Sequence, residues 1–384
     1  MTHQRAAPAG PVGGIIPEVP VSVPLDVIGG APLIPPTMQA LVVLEPDRFE
    51  IREVPVPMPA ENEVLARVRA VSICGTDAHL IHGDYPGFWP PAFPFVPGHE
   101  WAGEIVALGP GAARYGWRIG ERVAGTSHDA CGVCQKCVEG RYNLCENYGR
   151  DGLHRQYGHN AQGSDATYVV HGVKCVFRLP DGITFDEGAV IDPASIALHV
   201  ANRGGVAPGD TVAITGAGAI GLLGGDAALA RGAGRVIVVG RGPRLAKAAS
   251  LGFETVDTAD RDPVAAVRDL TGGLGADVVL ECAGVPETIV WALGMLRRGG
   301  RCSVVGIPTV PVELALQRLV LDELELVGSR ASAGEMRRVM PLVESGRMRV
   351  REIMTHRFAL ADYADALATF HDRSSGAIKI IVNP

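Results

Sequence analysis

A short apolar run, Thr211-Val-Ala-Ile-Thr215, passes directly into Gly216-Ala-Gly218-Ala-Ile-Gly221 and then into an Ala- and Leu-rich stretch. A strand, a glycine turn and a helix start in this order leave the chain few ways to fold. Gly216 permits the tight turn, Gly218 lets a pyrophosphate approach the backbone, and Gly221 lets the helix pack on the strand. Free N–H groups and the dipole at the helix start then favour phosphate. A lone G-x-G-x-x-G is a weak signal. Here a strand precedes it, a helix follows it and a second apolar run, Val236–Val239, comes next, which is the context of a dinucleotide site.

The second half of the chain keeps this rhythm. From about Asp192, candidate strands at Thr211–Thr215, Val236–Val239, Val278–Glu281, Ser303–Val305 and Leu324–Gly328 are interleaved with helical stretches at Ala219–Arg231, Arg244–Leu251 and Pro286–Leu296. Alternation of this kind predicts a parallel sheet with helices on both faces. From Met38 to about Val190 the pattern differs. Runs such as Ala40–Leu44, Val64–Val71, Ala102–Leu108 and Thr167–Val170 are short, closely spaced and broken by Gly and Pro, which suggests a β-rich, barrel-like domain. Gly83–Pro97 is rich in Pro and aromatics and reads as loop. The tail from about Ala331 holds two helices and a last strand, Ala377–Val382, and its pattern fits either domain. A globular chain of 384 residues, 47% hydrophobic and 20% charged, is long enough for two domains.

Four of the eight cysteines crowd together as Cys131, Cys134, Cys137 and Cys145, spaced C-x2-C-x2-C-x7-C. Four thiolates this close can surround one ion tetrahedrally, the geometry of structural zinc. An iron–sulfur cluster is the rival reading. With four protein ligands no position stays open, so such a site holds the fold and does no chemistry. A dense cluster in a long chain points to metal and a reducing compartment, not to a disulfide framework, and the cytoplasm is the expected location.

Further donors lie elsewhere. Cys74 sits in Ile73-Cys74-Gly75-Thr76-Asp77-Ala78-His79, His99 and Glu100 in Pro97-Gly98-His99-Glu100, and Asp192 opens Asp192-Pro193-Ala194-Ser195-Ile196-Ala197-Leu198-His199. A thiolate, an imidazole and a carboxylate make three ligands and leave a fourth position for water or substrate, as Lewis-acid activation of an alcohol requires. Each residue also has a plainer reading. A cysteine is a small buried hydrophobe, a histidine a hydrogen-bonded bystander, an Asp before Pro a helix cap. Spacing alone does not assign ligands so far apart.

The segments Cys74-Gly-Thr-Asp and Gly98-His99-Glu100, with the four-cysteine lobe in order, resemble the zinc-containing medium-chain alcohol dehydrogenase superfamily from about Met38 to the C-terminus. The resemblance implies a GroES-like β-barrel catalytic domain joined to a Rossmann doubly wound parallel-sheet domain. It divides the chain into a flexible N-terminal extension (1–37), a catalytic domain (38–191, with a structural-zinc lobe at 128–147) completed by 332–384, and a dinucleotide-binding domain (192–331). It implies two zinc ions per chain. Cys131, Cys134, Cys137 and Cys145 would hold one; Cys74, His99 and Asp192 would hold the catalytic one, with Glu100 as an acidic neighbour that approaches or exchanges onto the metal. A carboxylate as third ligand resembles the polyol and threonine dehydrogenase branches, whereas the simple-alcohol branch carries a cysteine there and often a basic residue where Gly75 stands. Thr76 and His79 then follow as the proton relay, a hydroxyl near the metal passing its proton through the cofactor ribose to an imidazole near solvent. His79 otherwise reads as a surface histidine, and Asp77 as a structural hydrogen-bonding residue.

About 20 residues past the glycine fingerprint, NAD sites place a carboxylate on the ribose. Here the strand ends Val238-Val239-Gly240-Arg241, without an acid. Gly240 removes the group that would repel a 2′-phosphate and Arg241 supplies a cation for it. This resembles NADP-linked members, so NADP is favoured over NAD; in the plainer reading Arg241 stacks on adenine.

The expected function is zinc-dependent hydride transfer between a secondary alcohol or polyol, or the matching ketone, and a nicotinamide dinucleotide. An amino-alcohol (threonine-like) or aminocyclitol dehydrogenase is the alternative. A non-catalytic nucleotide-binding protein that retains the fold is the reading from a different class. The aromatic loop Tyr85–Phe95, with Trp101, His154 and His159, either lines the substrate cleft or packs. A net charge of −7 gives no basic footprint for nucleic acid. No apolar run reaches the roughly 20 residues that cross a bilayer, and Pro17, Pro20 and Pro24 interrupt the start as no signal peptide would. The resemblance implies a homodimer or homotetramer.

Overall fold

The computed structural model describes residues 34–384. All but the last four residues of the expected extension, 1–37, lie outside the described residues. Two large sheets carry the chain. The first to be built upon the glycine fingerprint is six-stranded and wholly parallel, in the order Glu254–Asp257, Arg235–Gly240, Thr211–Thr215, Ala276–Glu281, Leu296–Val304 and Glu325–Gly328. Its inner strands carry apolar runs because helices cover both faces, so that Val236, Ile237, Val238 and Val239 are all buried. This is the doubly wound order, with Thr211–Thr215 at the centre and the glycine turn at its carboxyl end.

The other sheet is seven-stranded and mixed. Its path runs Met354–Ala359, Lys379–Asn383, Glu63–Ser72, Trp101–Leu108, Arg122–Gly125 and Val176–Arg178, and Tyr168–Gly172 pairs with Glu63–Ser72 off that path. The path is open: among the described strands no pairing joins its two ends into a ring. The tail strand Lys379–Asn383 pairs antiparallel with Glu63–Ser72, setting Ile381 opposite Ser72 and Val382 opposite Val71. The last segment thus returns to the sheet whose other strands lie between Glu63 and Arg178.

Several elements escaped the sequence pattern. Strand Met354–Ala359 alternates half-buried and exposed along a sheet edge, and its Thr, His and Arg hide the signal. Strand Leu296–Val304 starts well before Ser303 because Arg297, Arg298 and the glycine pair Gly299-Gly300 break the apolar run. Strand Glu254–Asp257 and helix Pro263–Leu270 were also unmarked. Helix Ile191–Arg203 joins the two halves mechanically. Its Ile191, Ala194, Ala197, Leu198 and Val200 share one core with Ala70 and Ala102 of the mixed sheet and Val212 and Ile214 of the parallel sheet. Each fully buried Ile or Val is worth about 1.5–3 kcal/mol, enough to fix this helix and the Asp192 at its start. Trp101, a candidate cleft residue by sequence, is wholly buried in the mixed sheet, where its Nε1 donates to His171 Nε2 at 3.3 Å. It packs.

Candidate metal centre and dinucleotide groove

Cys74 follows strand Glu63–Ser72 and caps helix Gly75–His82. Its N–H donates to Asp77 Oδ2 at 2.9 Å, which fixes the turn where strand becomes helix. Asp77 Oδ1 lies 3.2 Å from His99 Nδ1, and neither atom has an aligned hydrogen bond among the described residues. A carboxylate at Nδ1 leaves Nε2 as the ligand atom, the usual support for a metal-binding imidazole. His99 is delivered by Gly98, whose φ is +91°; a Cβ there would fall 2.3 Å from Asp165 Oδ1, so only glycine makes this turn. Cys74, His99 and Glu100 each bring one donor atom to a place where all three lie within 4.8 Å of one another.

The surroundings of this trio are charged and largely buried. Glu100 is 1% exposed, and its Oε2 accepts from Ser72 Oγ and from Lys379 Nζ. Lys379 is itself buried and donates to the Ile73 carbonyl at 3.1 Å. Burial works against its ammonium, but Glu100 and Cys74 outweigh that and raise its pKa. His99 behaves alike: burial disfavours the charged ring, while Asp77 and Cys74 raise its pKa well above the ordinary value. Asp192 is not part of the trio. Its Oδ1 accepts from Thr126 Oγ1 at 3.0 Å, and burial pushes its carboxyl up to about 6, with His99 pulling down and Glu100 pushing up. The carboxylate nearest the other donors is Glu100, the residue next to His99.

Thr76 Oγ1 is 3.7 Å from Cys74 Sγ. His79 stands one turn further along the same helix, half-exposed, with Nδ1 at 2.5 Å from Asp84 Oδ2. The two share a helix face; no hydrogen bond links them among the described residues. Beyond His99 a wall of rings extends outward. The His159 ring lies 4.5 Å from that of His99, Trp89 packs 4.8 Å from His159, and Trp89 Nε1 donates to Tyr148 Oη at 2.7 Å. Tyr148 then meets His154 at 4.6 Å, and the Arg330 guanidinium sits 4.5 Å over the Tyr148 ring. Burial and the His99 charge bring His159 down to about 3; burial and Arg330 bring His154 down to about 4. Both rings are therefore neutral at pH 7. The sequence singled out Trp89, His154 and His159 but missed His128, Tyr148 and Arg330, which meet them only through the fold.

The four-cysteine lobe is compact. Cys131 and Cys137 sulfurs are 3.9 Å apart, as are those of Cys134 and Cys145. A tetrahedron of ~2.3 Å zinc–sulfur bonds would set them about 3.8 Å apart, so the donors fit that ion as they stand. Asn147 Nδ2 and the N–H groups of Val133 and Cys134 point at Cys131 Sγ. With Asn147 as the main cause, these bonds lower the Cys131 thiol to about 6.

At the parallel sheet, Gly216 has φ +99° and a Cβ on Gly221 would fall 1.9 Å from the Gly216 carbonyl oxygen, so turn and helix are locked together by the absence of side chains. A Cβ on Gly218 would meet nothing within 4 Å, leaving open space at the helix start for phosphate. A cavity of about 700 Å³ opens here, lined by Gly216, Gly218, Gly240 and Arg241 among others. The groove therefore fits a dinucleotide, and the Cys74 trio fits a metal of mixed N, O and S preference such as zinc.

Comparison with known proteins agrees with this geometry. The zinc-binding dehydrogenase family profile matches residues 219–345, and the alcohol dehydrogenase GroES-like domain profile matches residues 60–181. Sorbitol dehydrogenase of Halalkalibacterium halodurans is 33% identical over 356 residues, covering 90% of this chain and 99% of that protein. L-Threonine 3-dehydrogenase of Pectobacterium atrosepticum is 31% identical over 350 residues, covering 90% and 94%. Among solved structures, a protein of Sinorhizobium meliloti 1021 described as a zinc-binding dehydrogenase and bound to NADP superposes with a TM-score of 0.81 at 31% identity, covering 91% of this chain and 99% of that one. The chain belongs to the zinc-containing medium-chain alcohol dehydrogenase superfamily, with polyol and threonine dehydrogenases among its relatives, and is a zinc-dependent, nicotinamide-linked oxidoreductase.

Proposed function

We propose that the enzyme oxidises a polyol or other secondary alcohol, or reduces the matching ketone, with NADP as the favoured hydride carrier. The observation that carries the reading is the meeting of Cys74, His99 and Glu100 within 4.8 Å of one another, with His99 and Glu100 buried, apart from the closed four-cysteine lobe. In this reading the chain binds two zinc ions, one at each cluster. When bound at the trio, zinc supplies a Lewis acid that makes a hydroxyl easier to deprotonate. Cys74, His99 and Glu100 hold it, and Asp192, one shell out on Thr126, is the carboxylate that exchanges with Glu100. Thr76 would take the hydroxyl proton while releasing its own, which with the cofactor bound would pass by its ribose to His79, steadied by Asp84, and on to solvent. A bound nicotinamide would supply the hydride acceptor or donor, and the neutral wall of Trp89, His154 and His159 would exclude water beside the substrate carbon.

The domain division is 38–191 with 332–384 for the catalytic half and 192–331 for the dinucleotide half. The chain works in the cytoplasm; no helix among the described residues is long and apolar enough to cross a membrane. A homodimer or homotetramer is supported by the edge strand Glu325–Gly328, which has a single sheet neighbour, and by exposed Leu316, Val320, Leu321 and Leu326 beside or within it in sequence. Threonine-like amino alcohols are the second reading, on the strength of the L-threonine 3-dehydrogenase relative. A panel of polyols, amino alcohols and aminocyclitols, assayed with each cofactor alongside zinc analysis, tests the whole. Turnover of a polyol with two zinc ions per chain is the expected result. Tight cofactor binding without turnover of any member would leave a non-catalytic nucleotide binder. Arg241→Ala should raise KM for NADP about tenfold more than for NAD, the loss of one charge-assisted contact.

A further inference from the structure

The dinucleotide cavity carries more positive charge than its sequence motif accounts for. Besides Arg241, its lining includes Arg244 from helix Gly242–Ser250 and Arg373 from the turn between helix Tyr363–His371 and strand Lys379–Asn383. Arg373 thus belongs to the returning tail, more than 130 positions from the glycine turn's partner strand, yet faces the same space. None of the three guanidinium groups forms an ion pair among the described residues. The acid that lines the cavity is Glu287, at the start of the helix beyond the central strand. Asp372, the neighbour of Arg373, is engaged by the N–H and hydroxyl of Ser374.

Arg244 is held in place while its charge stays unanswered. Its Nε donates to the Ala377 carbonyl at 2.7 Å, but its Nη2 is buried without a hydrogen-bond partner. Burial and the nearby Arg373 charge both lower its pKa. Two like charges kept close beside a buried, unpaired donor are costly unless an anion joins them. Gly240 stands where an acid would occupy that space, and a Cβ there would already come within 3.1 Å of Ala217.

We infer that Arg244 and Arg373, one from each side of the domain junction, grip the 2′-phosphate of an adenosine ribose together with Arg241. The ligand class is an adenosine 2′-phosphate, the part of NADP that NAD lacks. The inference rests on NADP as the carrier and adds a residue from the catalytic half to the cofactor site. Its consequence is mechanical. Arg373 lies six positions before Lys379, the partner of Glu100, so a phosphate bound there bears on the strand that braces the metal centre.

The test compares adenosine 2′,5′-bisphosphate with adenosine 5′-monophosphate, which differ by the 2′-phosphate, by calorimetry on the zinc-loaded full chain. Wild type should bind the bisphosphate at least tenfold more tightly. Arg373→Gln, an exposed position, should cut that preference roughly tenfold, as expected for a lost charge-assisted contact, and leave monophosphate affinity and Tm unchanged. Arg373→Lys should recover part of it. If Arg373→Gln keeps the full preference, the inference is overturned while NADP use stands. If wild type shows no preference, both fall.

Discussion

In the lobe at 131–145 every donor comes from one segment of fifteen residues, and the bonds that steady Cys131 come from Val133 and Cys134 within it and from Asn147 just past its end. The Cys74 trio is assembled the other way. Its donors come from a helix cap and a strand start, and its supports from Asp77, Ser72 and a lysine 279 positions from Glu100. The lobe's Cys131, Cys134 and Cys137 are half-buried like Cys74, and its sulfurs are already at tetrahedral spacing; the trio adds two buried donors, His99 and Glu100, and leans on an ion pair. A site built locally can be lost without disturbing the sheet. A site built from distant segments ties its chemistry to the packing of the whole domain.

Cys74→Ser should give the largest effect. It removes the soft donor from the trio, so activity should fall on the order of 10³-fold with Tm little changed. Retained activity with full zinc content would dissolve the contrast. Lys379→Met comes next. It strands a buried carboxylate, and losing one partner of a buried pair costs about 3–5 kcal/mol. Denaturant unfolding would show it, and adding Glu100→Gln should return part of the loss; an unchanged midpoint would mean that the pair braces nothing. Cys134→Ser should release one of two zinc ions and lower Tm on the order of 10 °C, while kcat below the transition stays close to wild type. A collapse of kcat at low temperature would make the two clusters alike. Asp192→Asn should do least, about a tenfold loss of activity with the trio's zinc retained, as for a neighbour of the ligands. Zinc loss as complete as in Cys74→Ser would move Asp192 into the ligand set.

The same contrast explains what could be read in advance. The four cysteines and the glycine fingerprint are local patterns, and local patterns survive in a linear sequence. The carboxylate of the open site is different: the sequence offers both Glu100 and Asp192, but which one lies against Cys74 depends on how helix Ile191–Arg203 seats on the mixed sheet. Lys379 did leave a trace, a lone cation inside Ala377-Ile378-Lys379-Ile380-Ile381-Val382, where a strand interior tolerates charge only with a partner. Arg373 left none, because nothing in Asp372-Arg373-Ser374 says which groove it faces. The doubly wound sheet was legible from its alternation, while the edge strand Met354–Ala359 was not, since an edge needs no continuous apolar run.

Strand Lys379–Asn383 lies against Glu63–Ser72 although Lys379 and the Ile73 carbonyl it binds are 306 positions apart. The segment that carries the parallel sheet, Thr211 to Gly328, is therefore a guest in sequence between two pieces of the mixed sheet, its host. Loop closure grows only logarithmically, so stretching a loop from about 190 to about 305 residues costs about 0.4 kcal/mol, little against the core it completes. The larger burden is on timing. Closing so distant a pair from an unstructured chain is slow, whereas a guest that folds first brings its two ends together and shortens the search. The host sheet, and with it the ammonium that reaches Glu100, would then be the last part of the molecule to form and the first to open.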